Sequence, residues 1–145
     1  MSDVDLAPIV KVRRLTLPSQ RTFEAYTADL QQWWPMATHS VSGTGSQIDM
    51  TPQGCFETAP DGTVSAWGEV LEWDEPRRIV HTWHPGSPSE PHTVVTVTFT
   101  PADDDATVVE LTHDGWVEAG ASASDHDDYD EGWDYVLDCF AHFAG

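Results

Sequence analysis

Apolar and polar residues alternate along several short segments of the chain, a pattern typical of strands with one buried face. The first segment runs from Ile9 to Leu17 and is ended by Pro18. Five more lie between turns rich in Pro, Gly and Asp: Gly54 to Thr58, Val64 to Trp73, Arg77 to His84, Thr93 to Thr100 and Ala106 to His113. Short turns between successive strands predict an antiparallel meander.

Helical spacing replaces this alternation in two places. From Ser19 to about Ala28, and on through Leu30 to Trp33-Trp34-Pro35, the spacing of apolar residues predicts two short helices with a break near Asp29. From Ser122 to Phe143 it predicts one long amphipathic helix. The apolar stripe of this helix consists of Tyr129, Trp133, Val136, Leu137, Phe140 and Phe143.

The order of these elements predicts an α+β fold in which a curved antiparallel sheet wraps around the long C-terminal helix. A length of 145 residues suits one domain, so we expect residues 1–145 to form a single domain with residues 1 to about 8 extended or disordered. The chain carries seven Trp, five Phe and three Tyr, and a cup lined by such rings is typical of small-molecule pockets.

The charge of the chain restricts the classes of molecule that it is expected to bind. Asp and Glu number 25 against 6 Lys and Arg, and the formal net charge of -19 would repel nucleic acids and anionic lipid surfaces. No apolar stretch is long enough to span a membrane, and the N-terminal residues lack the features of a secretory signal, so we expect a cytoplasmic protein. Whether the acidity reflects a salty habitat stays open.

The sequence predicts no cofactor, no metal site and no catalytic residue. Cys55 and Cys139 lie far apart and are expected to be free thiols. His81 and His84 stand three positions apart on a predicted strand, which would place them on opposite faces. The acidic run 103–105 lacks the glycine and final glutamate of a calcium loop. The motifs of nucleotide-binding proteins, serine hydrolases and zinc peptidases are absent.

Four segments together resemble the START-like, or SRPBCC, superfamily. They are WGEVLEWDEPRRIVHTW at 67–83, TVVTVTF at 93–99, TVVELTHDGW at 107–116, and Gly132-Trp133 with Leu137. Within the superfamily the chain is most similar to the branch of activators of heat-shock-protein-90 ATPase and their homologues. The resemblance implies a helix-grip fold, in which a seven-stranded sheet surrounds the C-terminal helix and an internal hydrophobic cavity. The branch takes its name from a eukaryotic co-chaperone whose related region is one part of a larger protein.

The first functional hypothesis is a binding protein for a small apolar or aromatic molecule. The residues expected to contact it are Trp67, Glu69, Trp83, Phe99, His113, Trp116, Tyr129 and Trp133. His113 shares strand parity with Val109 and Leu111, so it points inward, either toward a ligand or as a core histidine with internal partners. Glu69 shares parity with Trp67, and the pattern does not decide whether its carboxylate lies inside or in water.

Two further classes stay open. In the first, the protein is an enzyme of the cyclase or hydrolase kind that uses His113 and Glu69 as an acid–base pair, which requires the two side chains to be close together. In the second, it is a co-chaperone-like module that stimulates a chaperone ATPase, which requires an exposed apolar patch. A homodimer is also compatible with the sequence.

Overall fold

A computed structural model describes residues 8–35, 43, 45–84, 93–103, 105–116 and 123–144. Within these ranges the chain forms seven strands and three helices. In chain order they are β1 (Ile9–Leu15), α1 (Ser19–Tyr26), α2 (Leu30–Trp33), β2 (Gln47–Thr51), β3 (Gly54–Thr58), β4 (Val64–Asp74), β5 (Arg78–Trp83), β6 (Thr93–Ala102), β7 (Ala106–Asp114) and α3 (Ala123–Ala144).

The seven strands form one sheet in the order β1-β7-β6-β5-β4-β3-β2, and every neighbouring pair is antiparallel. Strands β2 to β7 are therefore a meander, and β1 completes the sheet beside β7. The curved sheet and the C-terminal helix α3 make up the helix-grip arrangement, which confirms the predicted fold class.

Strand β2 is missing from the pattern-based prediction. It is five residues long, and its inward residues Ile48 and Met50 are buried. Two apolar positions are too few to stand out in a region otherwise rich in turn-forming residues. The predicted N-terminal extension falls, apart from Pro8, outside the described residues.

Strand β1 presents charged rather than apolar side chains to α3. Val10 and Val12 are exposed, whereas Lys11 and Arg13 are partly buried. Lys11 Nζ lies 2.9 Å from Asp130 Oδ1 and 3.0 Å from Asp134 Oδ2, and Arg13 lies 3.2 Å from carboxylate oxygens of both Asp134 and Asp138. The three acids are spaced four residues apart and so share one edge of the helix. Part of the acidic excess therefore attaches α3 to the edge strand.

Helix α3 turns its apolar stripe toward the sheet. Trp133, Val136, Leu137 and Phe140 are buried, and Tyr129 is partly buried. Phe143 lies in the last turn and is 37% exposed, so its predicted place in the buried stripe is wrong. None of the described helices has the length and apolar character needed to cross a bilayer.

Candidate functional site

Strand β4 breaks the regular alternation of strand side chains at two bulges. Toward β3 the pairing passes from Ala66 to Gly68 and leaves Trp67 as an extra residue; toward β5 it passes from Val70 to Glu72 and leaves Leu71 extra. Because each bulge shifts the parity by one, Trp67 and Gly68 are both buried while Glu69 is exposed. The question that the sequence pattern left open for Glu69 is therefore answered: its side chain is exposed and does not share the interior with Trp67.

Gly68 allows β4 to approach β5 closely at the first bulge. A Cβ atom at this position would lie 1.8 Å from the carbonyl oxygen of Thr82, so a larger residue cannot occupy it. Beside it, the main-chain N–H of His84 donates to the Trp67 carbonyl at 2.6 Å. These contacts hold Trp67 over the end of β5.

Four indole rings meet between this part of the sheet and α3, and we call them the indole cluster: Trp34, Trp67, Trp83 and Trp133. Their ring centres lie between 5.2 and 6.2 Å apart in the contacting pairs. Trp67 Nε1 donates to Glu57 Oε1 at 3.2 Å, and Glu57 is only 1% exposed. Neither Trp34 nor Glu57 is among the site residues predicted from the sequence. Glu57 shares its strand parity with buried Cys55, and this pattern could have indicated that Glu57 is buried.

His113 lies next to the indole cluster with both ring nitrogens engaged. Trp133 Nε1 donates to His113 Nδ1 at 2.9 Å, so the ring proton sits on Nε2, which donates to Thr93 Oγ1 at 2.5 Å. Thr93 Oγ1 in turn donates to the Trp83 carbonyl at 3.2 Å. Burial lowers the pKa of His113 to about 3, with further lowering by His81 and His126. The geometry is that of a core histidine with internal partners.

Trp116, which follows the end of β7, packs against His113. Its Nε1 donates to the main-chain carbonyl of His113 at 2.9 Å, and its ring centre lies 4.2 Å from the imidazole. Tyr129 of α3 contacts both rings, at 5.1 Å from His113 and 5.5 Å from Trp116. These contacts make His113 the link between β7 and the start of α3.

The end of β5 carries buried polar atoms that have no hydrogen-bond partner among the described residues. His81 Nδ1 lies 2.9 Å from the Thr82 carbonyl, which can only accept, so Nδ1 carries the proton and Nε2 is an acceptor. Within the described part of the chain, no group pairs with His81 Nε2, with Trp83 Nε1 or with either ring nitrogen of His84. His81, Trp83 and His84 are 0%, 6% and 7% exposed, so all three are buried.

The charge state of His81 follows from its surroundings. Burial lowers its pKa to about 4, and the hydrogen bond to Thr82 offsets only part of this lowering. The ring is therefore neutral at pH 7. Among the residues that the structure describes, no three His, Cys, Asp or Glu side chains lie close enough together to hold a metal ion.

Of the eight residues predicted to contact a ligand, six come together here: Trp67, Trp83, His113, Trp116, Tyr129 and Trp133. Phe99 instead packs against Phe23 and Tyr26 of α1, at 5.2 and 5.7 Å. Glu69 is exposed while His113 is fully buried, so the acid–base pair considered for an enzyme is not formed.

Comparisons with known proteins point to one family. A family model described as "Activator of Hsp90 ATPase homolog 1-like protein" matches residues 16–145. Among curated proteins, none matches this sequence.

Several solved structures have the same fold. Protein MLL2253 from Mesorhizobium loti has a TM-score of 0.68 at 20% identity, over 94% of this chain and 95% of that one. CalU16 from Micromonospora echinospora has a TM-score of 0.63 at 20% identity, over 95% and 76%. PFC0360w, an HSP90 activator from Plasmodium falciparum, has a TM-score of 0.51 at 22% identity, over 74% and 71%.

Proposed function

Since the chain belongs to the Activator of Hsp90 ATPase homolog 1-like family, we propose that it is a START-like binding protein for a small, mainly apolar or aromatic molecule. One observation carries the proposal: His81 Nε2 and Trp83 Nε1 are buried at the indole cluster and have no hydrogen-bond partner among the described residues. Buried polar groups in proteins are usually paired, and exceptions require an explanation such as a missing partner. A bound molecule is the partner that we propose.

The proposed binding residues are the indole cluster together with His81, Trp116 and Tyr129. The indoles offer flat apolar faces, and burial of apolar ligand area contributes roughly 25 cal/mol per Å² before the costs of binding. His113 keeps its place as a positioning residue, because its partners Trp133 and Thr93 already occupy both nitrogens. A single domain and a cytoplasmic location, both predicted from the sequence, are part of this proposal.

Native mass spectrometry of the purified protein tests the proposal directly, by looking for a compound that leaves on denaturation. A titration of the intrinsic tryptophan fluorescence with lipids, polyketides and aromatic compounds complements it. Trp73→Phe is the matched control because Trp73 packs against Phe23 of α1, at 5.3 Å. We expect quenching that survives Trp73→Phe and weakens in Trp83→Phe. No co-purified compound together with no fluorescence change across the panel would contradict a binding function.

Activation of a chaperone ATPase is the second candidate. The family description and the fold shared with an HSP90 activator favour it. Val10 and Val12 supply an exposed apolar contact, 52% and 50% exposed, on the edge strand β1. The test is the ATPase rate of a purified Hsp90 with saturating protein, compared with the double variant Val10→Thr, Val12→Thr. An unchanged rate with the unmodified protein rejects this candidate.

A further inference from the structure

Two side chains near the end of β5 each have one buried ring nitrogen that lacks a hydrogen-bond partner among the described residues. His81 Nε2 is an acceptor with no donor there, because the ring proton is on Nδ1 and is donated to the Thr82 carbonyl. Trp83 Nε1 is a donor without an acceptor in the described part of the chain. The two ring centres lie 5.5 Å apart. At that separation one small group can contact both rings.

From this complementarity we infer that the ligand of the indole cluster is a neutral molecule whose hydroxyl group donates to His81 Nε2 and accepts from Trp83 Nε1. The inference rests on the proposed binding function and names the chemical class of its ligand. A hydroxyl is the smallest common group that donates and accepts at one atom. Its attached apolar or aromatic body lies against the indole cluster.

Charged head groups satisfy only half of this pair. A carboxylate accepts from Trp83 but leaves His81 Nε2 unpaired, and an ammonium does the reverse. The pair therefore favours a neutral hydroxyl over either charged head group.

Three bicyclic probes of similar size test the inference: 2-naphthol, 2-methylnaphthalene and 2-naphthoate. Dissociation constants are measured by ligand-observed NMR at pH 7. We expect 2-naphthol to bind about tenfold or more tightly than 2-methylnaphthalene, because it pairs two buried groups that the methyl compound leaves unpaired. We expect 2-naphthoate to bind more weakly than 2-naphthol.

A second readout follows the hydrogen bond itself. The seven tryptophans give seven indole N–H resonances in a ¹⁵N–¹H spectrum, and Trp83→Phe identifies the Trp83 signal. We expect 2-naphthol to move that signal downfield and 2-methylnaphthalene not to. Trp83→Phe should remove most of the preference for naphthol, whereas the control Trp73→Phe should keep it. Persistence of the other indole signals shows that each variant is folded.

The outcomes separate this inference from the binding function. If naphthol and methylnaphthalene bind equally, for example because a buried water already bridges the two atoms, the inference is wrong and the binding function stands. Tighter binding of naphthoate also overturns it, as does a Trp83 signal that naphthol leaves in place. If none of the three probes binds, the proposed aromatic-binding function itself is contradicted.

Discussion

The two buried histidines predict a specific loss of stability in mild acid. His113 and His81 are held neutral in the folded protein, with pKa values lowered by burial to about 3 and about 4, against an ordinary value of 6.5. Below pH 6.5 the unfolded chain takes up a proton at each position and the folded protein does not. Stability is therefore complete above pH 6.5 and falls as the pH falls, until about pH 4 for His81 and about pH 3 for His113.

The size of the effect follows from these values. At pH 5, about 1.5 units below the ordinary pKa, each neutral histidine lowers the free energy of unfolding by about 2 kcal/mol. Together the pair lowers it by about 4 kcal/mol, a large part of the 5–15 kcal/mol typical of a small domain. In the steepest part of the range the slope approaches about 2.7 kcal/mol per pH unit, since two protons are taken up on unfolding.

Urea unfolding between pH 7 and pH 5, followed by circular dichroism, measures this slope. His113→Asn and His81→Gln should each reduce the slope by about half, whatever they do to stability at pH 7, because each removes one of the two protons that are taken up on unfolding. The control is His142→Gln, since this side chain on the last turn of α3 is exposed. A wild-type stability that is flat between pH 7 and pH 5, or a slope that His113→Asn leaves intact, refutes the assignment of neutral buried rings.

Two further predictions concern the frame of the site. Gly68→Ala should destabilise the fold by about 3 kcal/mol or more in urea unfolding, because its Cβ would meet the Thr82 carbonyl at 1.8 Å. The control is Gly62→Ala, at φ +89° with nothing within 4 Å of the added Cβ, which should cost about 1 kcal/mol. Equal losses of stability in the two variants would contradict the close contact at Gly68. Lys11→Met should cost about 1 kcal/mol or less in low salt, because its carboxylate partners are half exposed. High salt should shrink that difference, and a salt-independent loss would show that Lys11 acts through packing instead.

The parts of the fold that are predictable from sequence are those with many regularly spaced apolar residues. The alternation of Val95, Val97 and Phe99 gives an inward face, and all three are buried. The helical stripe of α3 is predicted correctly from Trp133 to Phe140. Strand β1 is harder, because its exposed face carries Val10 and Val12 while its partly buried face carries charge. Only the carboxylates of α3, distant in sequence, make that arrangement favourable.

The candidate site is less predictable because it depends on local departures from regular strands. The bulge at Trp67 reverses the parity of Glu69, and the local pattern of apolar and polar residues does not indicate this bulge. Likewise His81 to His84 are all buried in succession, whereas a strand with one face in water would expose alternate residues. The signal that remains in the sequence is Gly68, since a glycine inside a strand often marks a bulge or a close backbone approach.

The register of the sheet explains why two similar histidines have different roles. His113 pairs with Val95 across β6, and Val95 pairs with His81 across β5, so the two imidazoles lie on one row of the same buried face. Trp133 Nε1 on α3 donates to His113 Nδ1, and His113 Nε2 donates to Thr93 Oγ1, so both ring nitrogens of His113 have partners. Among the described residues, His81 has a single hydrogen-bond partner, the carbonyl of its neighbour Thr82. Because an unpaired buried acceptor costs about 1–3 kcal/mol, a molecule that donates to His81 recovers free energy that one donating to His113 does not. One histidine thus fixes the helix, and the other keeps the acceptor that the proposed ligand requires.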